Sequence, residues 1–244
     1  MTTTDPMPTL TETLTRLRAA QKGHARGAPA YSVYVNRRIG RVLAAIGYRL
    51  GLTPNQVTMV SAAHTFAGIV LLATMPPSWW SGIVVAALLV LGYAWDSADG
   101  QVARLRGGGS VAGEWLDHFV DAIKIATLHL AVLIGLFRFG DLDEPVLLLP
   151  IGYSIVATVT FFGMILNDLL KGARGVASTH ARGGGTLGRS LLLVPTDFGL
   201  LCLVFLLWGA PPAFLTVYAA LFAANTLFLC AASVKWFREM RRVG

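Results

Sequence analysis

The sequence predicts an all-α integral membrane protein, with six transmembrane helices preceded by an interfacial amphipathic helix. Three observations carry this prediction. Of 244 residues, 55% are hydrophobic and only 14% charged, against roughly 25% charged in soluble domains. Apolar runs near 55–75, 79–95, 114–137, 145–170, 188–208 and 212–234 each approach the length needed to cross ~30 Å of hydrocarbon as a helix. Lys and Arg are distributed to one side of those crossings.

Residues 1–30 read as a polar N-terminal tail, with one short helix around Leu10, Leu14 and Leu17. MTTTDPMPTLTETLTRLRAA has no apolar h-region, so no cleavable signal peptide is expected. Residues 31–52 form the amphipathic element. Ile39, Val42, Leu43, Ile46 and Leu50 fall at i, i+3, i+4, i+7 and i+11, with Arg37, Arg41 and Tyr48 opposite. Such a helix suits the headgroup plane. Thr53 as a cap and Pro54 in the first turn then open a six-helix domain over 53–240.

With the N-terminus in the cytoplasm, six crossings leave 18 of the 20 Lys and Arg residues inside, a strong positive-inside pattern. The expected location is the cell membrane, multi-pass, with both termini on the cytoplasmic side. Topology and anionic headgroups account for the net charge of +7, so no nucleic-acid partner is called for. Cys202 and Cys230 lie within apolar runs and read as small hydrophobes. RGGGS at 106–110 and ARGGGTLGR at 181–189 follow no strand and precede no Gly-Lys-Ser/Thr, so they read as loops rather than nucleotide fingerprints.

The chain has 13 acidic residues, and four aspartates fall in DSADGQVARLRGGGSVAGEWLDHFVD, between two apolar runs. Asp96, Asp99, Gly100 and Ala103 share one helix face; Gly113, Asp117 and Asp121 form a second stripe at spacing four. The connection between them is short, which predicts antiparallel neighbours with the acidic faces meeting. An Asp at the centre of a membrane helix costs about 2.5–3.5 kcal/mol, and mutual repulsion raises that cost. Divalent cations cancel the repulsion, and clustered carboxylates suit hard ions such as Mg²⁺ or Mn²⁺. Two such ions can clamp the attacking and leaving oxygens of a phosphoryl displacement. Gly100, Ala103 and Gly113 leave room beside the acids, and Arg104 supplies a positive charge for a phosphate.

The pattern D-x2-DG-x2-AR-x8-G-x3-D-x3-D, at Asp96, Asp99, Gly100, Ala103, Arg104, Gly113, Asp117 and Asp121, resembles the signature of the CDP-alcohol phosphotransferase family. Six membrane helices, an interfacial helix and the TPN opening of the first span extend the likeness over about residues 31–240. The resemblance implies transfer of a phosphoalcohol, such as phosphatidyl from CDP-diacylglycerol, to an acceptor alcohol with release of CMP in phospholipid biosynthesis. It implies that Asp96, Asp99 and Asp117 bind the metal ions, two of them, and that Asp121 joins them or acts as general base. Asp99, Gly100, Ala103, Arg104 and Gly113 would line the CDP site. The implied partners are a CDP-alcohol donor, an alcohol acceptor, the lipid bilayer and a second copy in a homodimer.

Other polar residues bear on the acceptor. Lys124, one turn beyond Asp121, either pairs with the acids or holds a phosphate. Lys171 and Arg174 close the fourth apolar run at a Lys-x2-Arg spacing, where some members with phosphorylated acceptors carry Lys-x-Arg. Their position beside the site favours an anionic acceptor. His118, next to Asp117, points about 100° away from it on a helix. A membrane prenyltransferase would hold its two acidic motifs far apart in sequence, whereas both fall within 96–121 here. A divalent-cation transporter would need a polar path that VVAALLVLG and TLHLAVLIGLF do not offer.

Overall fold

A computed structural model describes residues 9–19, 28–140, 142–176 and 186–243. Lys22, Arg26 and Arg182, counted above among the inner-face cations, lie outside the described residues. Among those described, all regular structure is helical: α1 (Leu10–Ala19), α2 (Arg37–Arg49), α3 (Pro54–Thr74), α4 (Trp79–Leu105), α5 (Val111–Phe139), α6 (Glu144–Gly172), α7 (Leu187–Leu192), α8 (Phe198–Val204) and α9 (Pro211–Val243). Five of them, α3, α4, α5, α6 and α9, are long and apolar enough to cross a membrane.

The segment expected as a single helix over 188–208 is helical only in pieces. After α7 comes a 3₁₀ turn at Val194–Thr196, then α8, then a second 3₁₀ turn at Phe205–Gly209. Pro195 lacks the N–H that would continue the helix. Asp197 restarts it by accepting from the Gly199 N–H at 2.9 Å. Asn225 of α9 donates to the Pro195 carbonyl at 3.2 Å, satisfying an acceptor that would otherwise go unpaired in an apolar setting. One Pro and one Asp barely lower the apolarity of such a run, so composition alone does not register the break.

Side-chain caps set the starts of α3, α4 and α5. Thr53 and Gln56 form a reciprocal capping box on α3, with Gln56 N–H to Thr53 Oγ1 at 3.3 Å and Thr53 N–H to Gln56 Oε1 at 2.8 Å. Ser78 and Ser81 do the same on α4, and Ser110 Oγ accepts the Gly113 N–H at 3.0 Å to begin α5.

Two apolar clusters hold the helices together. The larger joins Leu72, Leu89, Leu128, Val132 and Leu136 to Phe205, Trp208, Phe214 and Tyr218. The broken segment fits against α4 because Gly82 has no side chain: a Cβ there would stand 2.6 Å from the Phe205 carbonyl oxygen. The smaller cluster sets Leu17 of α1 and Ala44 and Ala45 of α2 against Val57, Ala98 and Val102. Complete burial of Leu17 contributes about 1.5–3 kcal/mol and docks α1 on the helical body.

On α2 the inward face is small, with Gly40, Ala44, Ala45 and Gly47 buried. Val35, Ile39, Val42, Ile46 and Leu50 form an exposed apolar stripe. Leu43, expected in that stripe, turns partly inward onto the smaller cluster. The entry to α2 is a π-helical turn at Ser32–Asn36. Buried Asp197 accepts the Ser32 N–H at 2.8 Å, and Ser32 and Tyr93 hydrogen-bond through their hydroxyls, so α2, α4 and α8 share one junction.

α3 packs closely on α4 at Gly92, where an added Cβ would lie 2.2 Å from Thr65 Oγ1. Ser61 Oγ donates to the Gly92 carbonyl at 2.9 Å. Gly92→Val forces the two helices apart and is expected to cost about 1–3 kcal/mol, read as a lowered Tm in detergent. Gly172→Ala, with open space around it, leaves Tm unchanged.

Candidate active site

Three helices supply the site. α3 packs on both α4 and α5, whereas α4 and α5 scarcely touch backbone to backbone. The short connection therefore brings the two acidic stripes opposite each other across a cleft, with α3 as its back wall. This refines the expectation of directly packed neighbours. Gly107 and Gly108 turn the connection with φ of 94° and 139°, a region that favours glycine. Arg106 secures it, donating to the Gly51 carbonyl at 2.8 Å and standing over the Tyr48 ring at 5.6 Å.

Within the cleft, carboxylate oxygens of Asp96, Asp117 and Asp121 all lie within 4.8 Å of one another. Asp99, one turn along from Asp96, has Asp96 and Asp117 as electrostatic neighbours. Two hydroxyls of α3 reach these acids: Thr58 Oγ1 donates to Asp99 Oδ2 at 2.7 Å and Ser61 Oγ to Asp96 Oδ1 at 3.3 Å. Among the described residues, Oδ1 of Asp117 is buried with no hydrogen-bond donor. Buried acceptors are ordinarily satisfied, and converging hard oxygens with one orphan fit a divalent cation.

A cavity of about 890 Å³ opens beside these acids; Asp99 and Asp117 line it, whereas Asp96 and Asp121 stand behind that lining. Asp99, Gly100, Ala103, Arg104 and Gly113, the residues expected around CDP, all line it together with Asp117. Among the described residues, a Cβ on Gly100 would meet Arg104 Nη1 alone, at 3.7 Å, whereas one on Gly113 would stand 3.1 Å from Asn55 Oδ1 and 3.2 Å from Ser110 Oγ. α3 adds Thr53, Asn55 and Thr58 to the lining, and α5 adds Glu114 and His118. His118 reaches the cavity despite its angle from Asp117, because the cavity wraps the first turns of α5. Its ring is held edge-on against Phe161 of α6, centroids 6.3 Å apart.

The motif spacing does not point to the α3 contribution. Its signal was Asn55, Thr58 and Ser61 at spacing three at the start of an apolar helix, one polar edge.

The residues considered for the acceptor stand elsewhere. Lys124 is buried beneath the acids and pairs with Asp96 at 2.6 Å and Asp121 at 3.0 Å, outside the cavity lining. Lys171 is buried and pairs with Glu239 of α9 at 2.6 Å. Glu239 also takes Asn167 Nδ2 at 3.4 Å and Lys235 Nζ at 3.6 Å. α6 runs antiparallel to α5, with Phe161 against His118, Ser154 donating to the Ala126 carbonyl and Tyr153 stacked on His129. Lys171 therefore lies about 15 Å along the axis from the level of His118, beyond the first residues of α5, and exposed Arg174 follows it.

Fold and site together define a multi-pass membrane enzyme that handles a phosphorylated substrate at an acid-lined cleft. Residues 51–234 match the model of the CDP-alcohol phosphatidyltransferase family, and the chain belongs to that family, transferases of phospholipid biosynthesis. It is similar to phosphatidylinositol phosphate synthases of Corynebacterium glutamicum (30% identity over 65% of this chain and 67% of that one) and Mycobacterium marinum (29% over 83% and 81%). An archaetidylinositol phosphate synthase of Pyrococcus horikoshii matches at 33% over 40% of this chain and 47% of its own. Crystal structures of the Mycobacterium tuberculosis phosphatidylinositol phosphate synthase share the fold. One with CDP-DAG bound has a TM-score of 0.53 at 22% identity, covering 81% of this chain and 90% of that one. One in complex with manganese and citrate has a TM-score of 0.52 at 24% identity, covering 83% and 88%.

Thr58→Val removes the donor to Asp99 at nearly constant volume. A hydrogen bond to a charged group contributes about 1.5–3 kcal/mol to stability, so Tm is expected to fall by several degrees and CMP release to fall with it, as checked by a melting curve alongside a CMP-release assay.

Proposed function

We propose that this chain transfers a phosphatidyl group from CDP-diacylglycerol to an inositol phosphate and releases CMP, at the cytoplasmic face of the cell membrane. The observation that carries the acceptor is what the relatives have in common. Bacterial and archaeal proteins whose names differ in the lipid half are both named for an inositol phosphate product. The one-sided placement of Lys and Arg supports the cytoplasmic orientation.

Asp96, Asp99, Asp117 and Asp121 would hold Mg²⁺ or Mn²⁺, two ions in this reading. When bound, the ions neutralise the pyrophosphate and stabilise departing CMP. Gly100, Ala103 and Gly113 line the cavity in which the nucleotide would lie, and Arg104 pairs with a donor phosphate. The acceptor hydroxyl oxygen bonds to the β-phosphorus, and the bond from that phosphorus to the oxygen of the CMP phosphate breaks. Asp121 takes the hydroxyl proton, as general base. Lys171 and Arg174, which stand outside the cavity lining, would receive the acceptor's own phosphate once Glu239 yields Lys171. Lys124 serves the acids instead of the acceptor. The protein works as a homodimer in this reading.

The test is CMP release by protein reconstituted with Mn²⁺ and CDP-diacylglycerol. Inositol phosphate is expected to support turnover well above inositol, serine or glycerol phosphate; preferred turnover with any of those three overturns the acceptor. EDTA treatment abolishes release, and Mn²⁺ or Mg²⁺ restores it. Asp121→Asn eliminates transfer while the protein still folds, as a cooperative melting curve shows.

Lys171→Ala and Arg174→Ala are each expected to raise acceptor KM roughly tenfold, the loss of one charge-assisted hydrogen bond, with donor KM unchanged. An unaltered acceptor KM in both removes them from the acceptor site.

A further inference from the structure

Lys124 is not among the eight motif residues, yet it is bonded to two of them. It is only 5% exposed. Its Nζ donates to Asp96 Oδ1 at 2.6 Å, Asp121 Oδ1 at 3.0 Å and Ser61 Oγ at 3.0 Å. An ammonium has three donors, and these three acceptors use them all. Nothing remains for a substrate phosphate. The three acceptors come from α4, α5 and α3, so one cation joins all the helices of the site, at the level where α4 and α5 lack close backbone contact.

We infer that Lys124 is a built-in counter-cation of the acidic cluster, which holds Asp96 and Asp121 in place without metal and moderates the affinity for divalent ions. The inference rests on the cluster being a divalent-metal site. The ammonium neutralises one of the four carboxylate charges permanently, and it occupies one oxygen each of Asp96 and Asp121. A positive charge fixed among the ligands opposes an incoming cation, strongly so where little water screens it. Removing one partner of a buried ion pair leaves the other uncompensated. Without Lys124, the empty cluster is therefore less stable and its attraction for a divalent ion greater. Lys124 acts through the acids and touches no substrate, so it is a positioning residue.

Metal binding measured without substrate separates this role from a merely structural one. Metal-free wild type, Lys124→Met, Lys124→Gln and Lys124→Arg are titrated with Mn²⁺, free ion being read by electron paramagnetic resonance and Tm recorded with and without Mn²⁺. The Met and Gln variants are expected to bind Mn²⁺ roughly tenfold or more tighter than wild type and to gain more Tm from it, while Lys124→Arg stays near wild type. Recovery of the neutral variants only when Mn²⁺ is present during purification supports the inference too, since the divalent ion then replaces the ammonium. Wild-type Mn²⁺ affinity in the neutral variants overturns it, as does failure of both to fold even with Mn²⁺. Absence of Mn²⁺ binding by wild type and every variant overturns the metal-site reading itself, and this inference with it.

Discussion

Mutual repulsion among four aspartates, set where apolar helices meet, is the constraint around which this molecule is organised. Carboxylates brought that close in a weakly screened environment drive their helices apart unless something opposite in charge or rich in donors lies between them. The protein supplies both. Lys124 spans Asp96 and Asp121, and the hydroxyls of Thr58 and Ser61 reach Asp99 and Asp96. Among the described residues, Oδ1 of Asp117 stays without a donor, in a cluster whose carboxylates converge closely enough for a cation.

The helical body can be understood as the means of keeping that arrangement open. α4 and α5 hold their acidic stripes apart because each leans on α3, and α3 packs closely on α4 at Gly92, where the glycine leaves room for Thr65. Away from the site, the broken segment around α8 locks against α4 through Gly82 and the Phe205–Trp208–Phe214 aromatic group. α2 lays small residues on α4 and leaves an apolar stripe outside, which suits an interfacial position beside the mouth of the cleft.

How much of this was legible depended on the range of each interaction. The acidic stripes could be read because residues three, four and seven apart share a helix face whatever the surroundings. The capping box at Thr53 and Gln56 is equally local. The roles of the α3 hydroxyls were not legible. In apolar helices Ser and Thr commonly bond the carbonyl four residues back, as Thr127, Thr160, Thr216 and Thr226 do here. Thr58 bonds Pro54 that way and Asp99 as well, and only the second contact concerns the site. Lys171 and Glu239 lie 68 residues apart, so neither announces the other.

By itself, then, the sequence determined the helical class, the membrane setting and the acidic motif, because composition and helical period act within a few turns of chain. The tertiary structure decided that the span over 188–208 is broken, that α3 forms the back wall of the cleft, and that Lys124 belongs to the acids. Those outcomes turn on which helices approach one another and at what register. Close approach is settled by packing across the whole bundle, with glycines admitting contact at some levels and side chains refusing it at others.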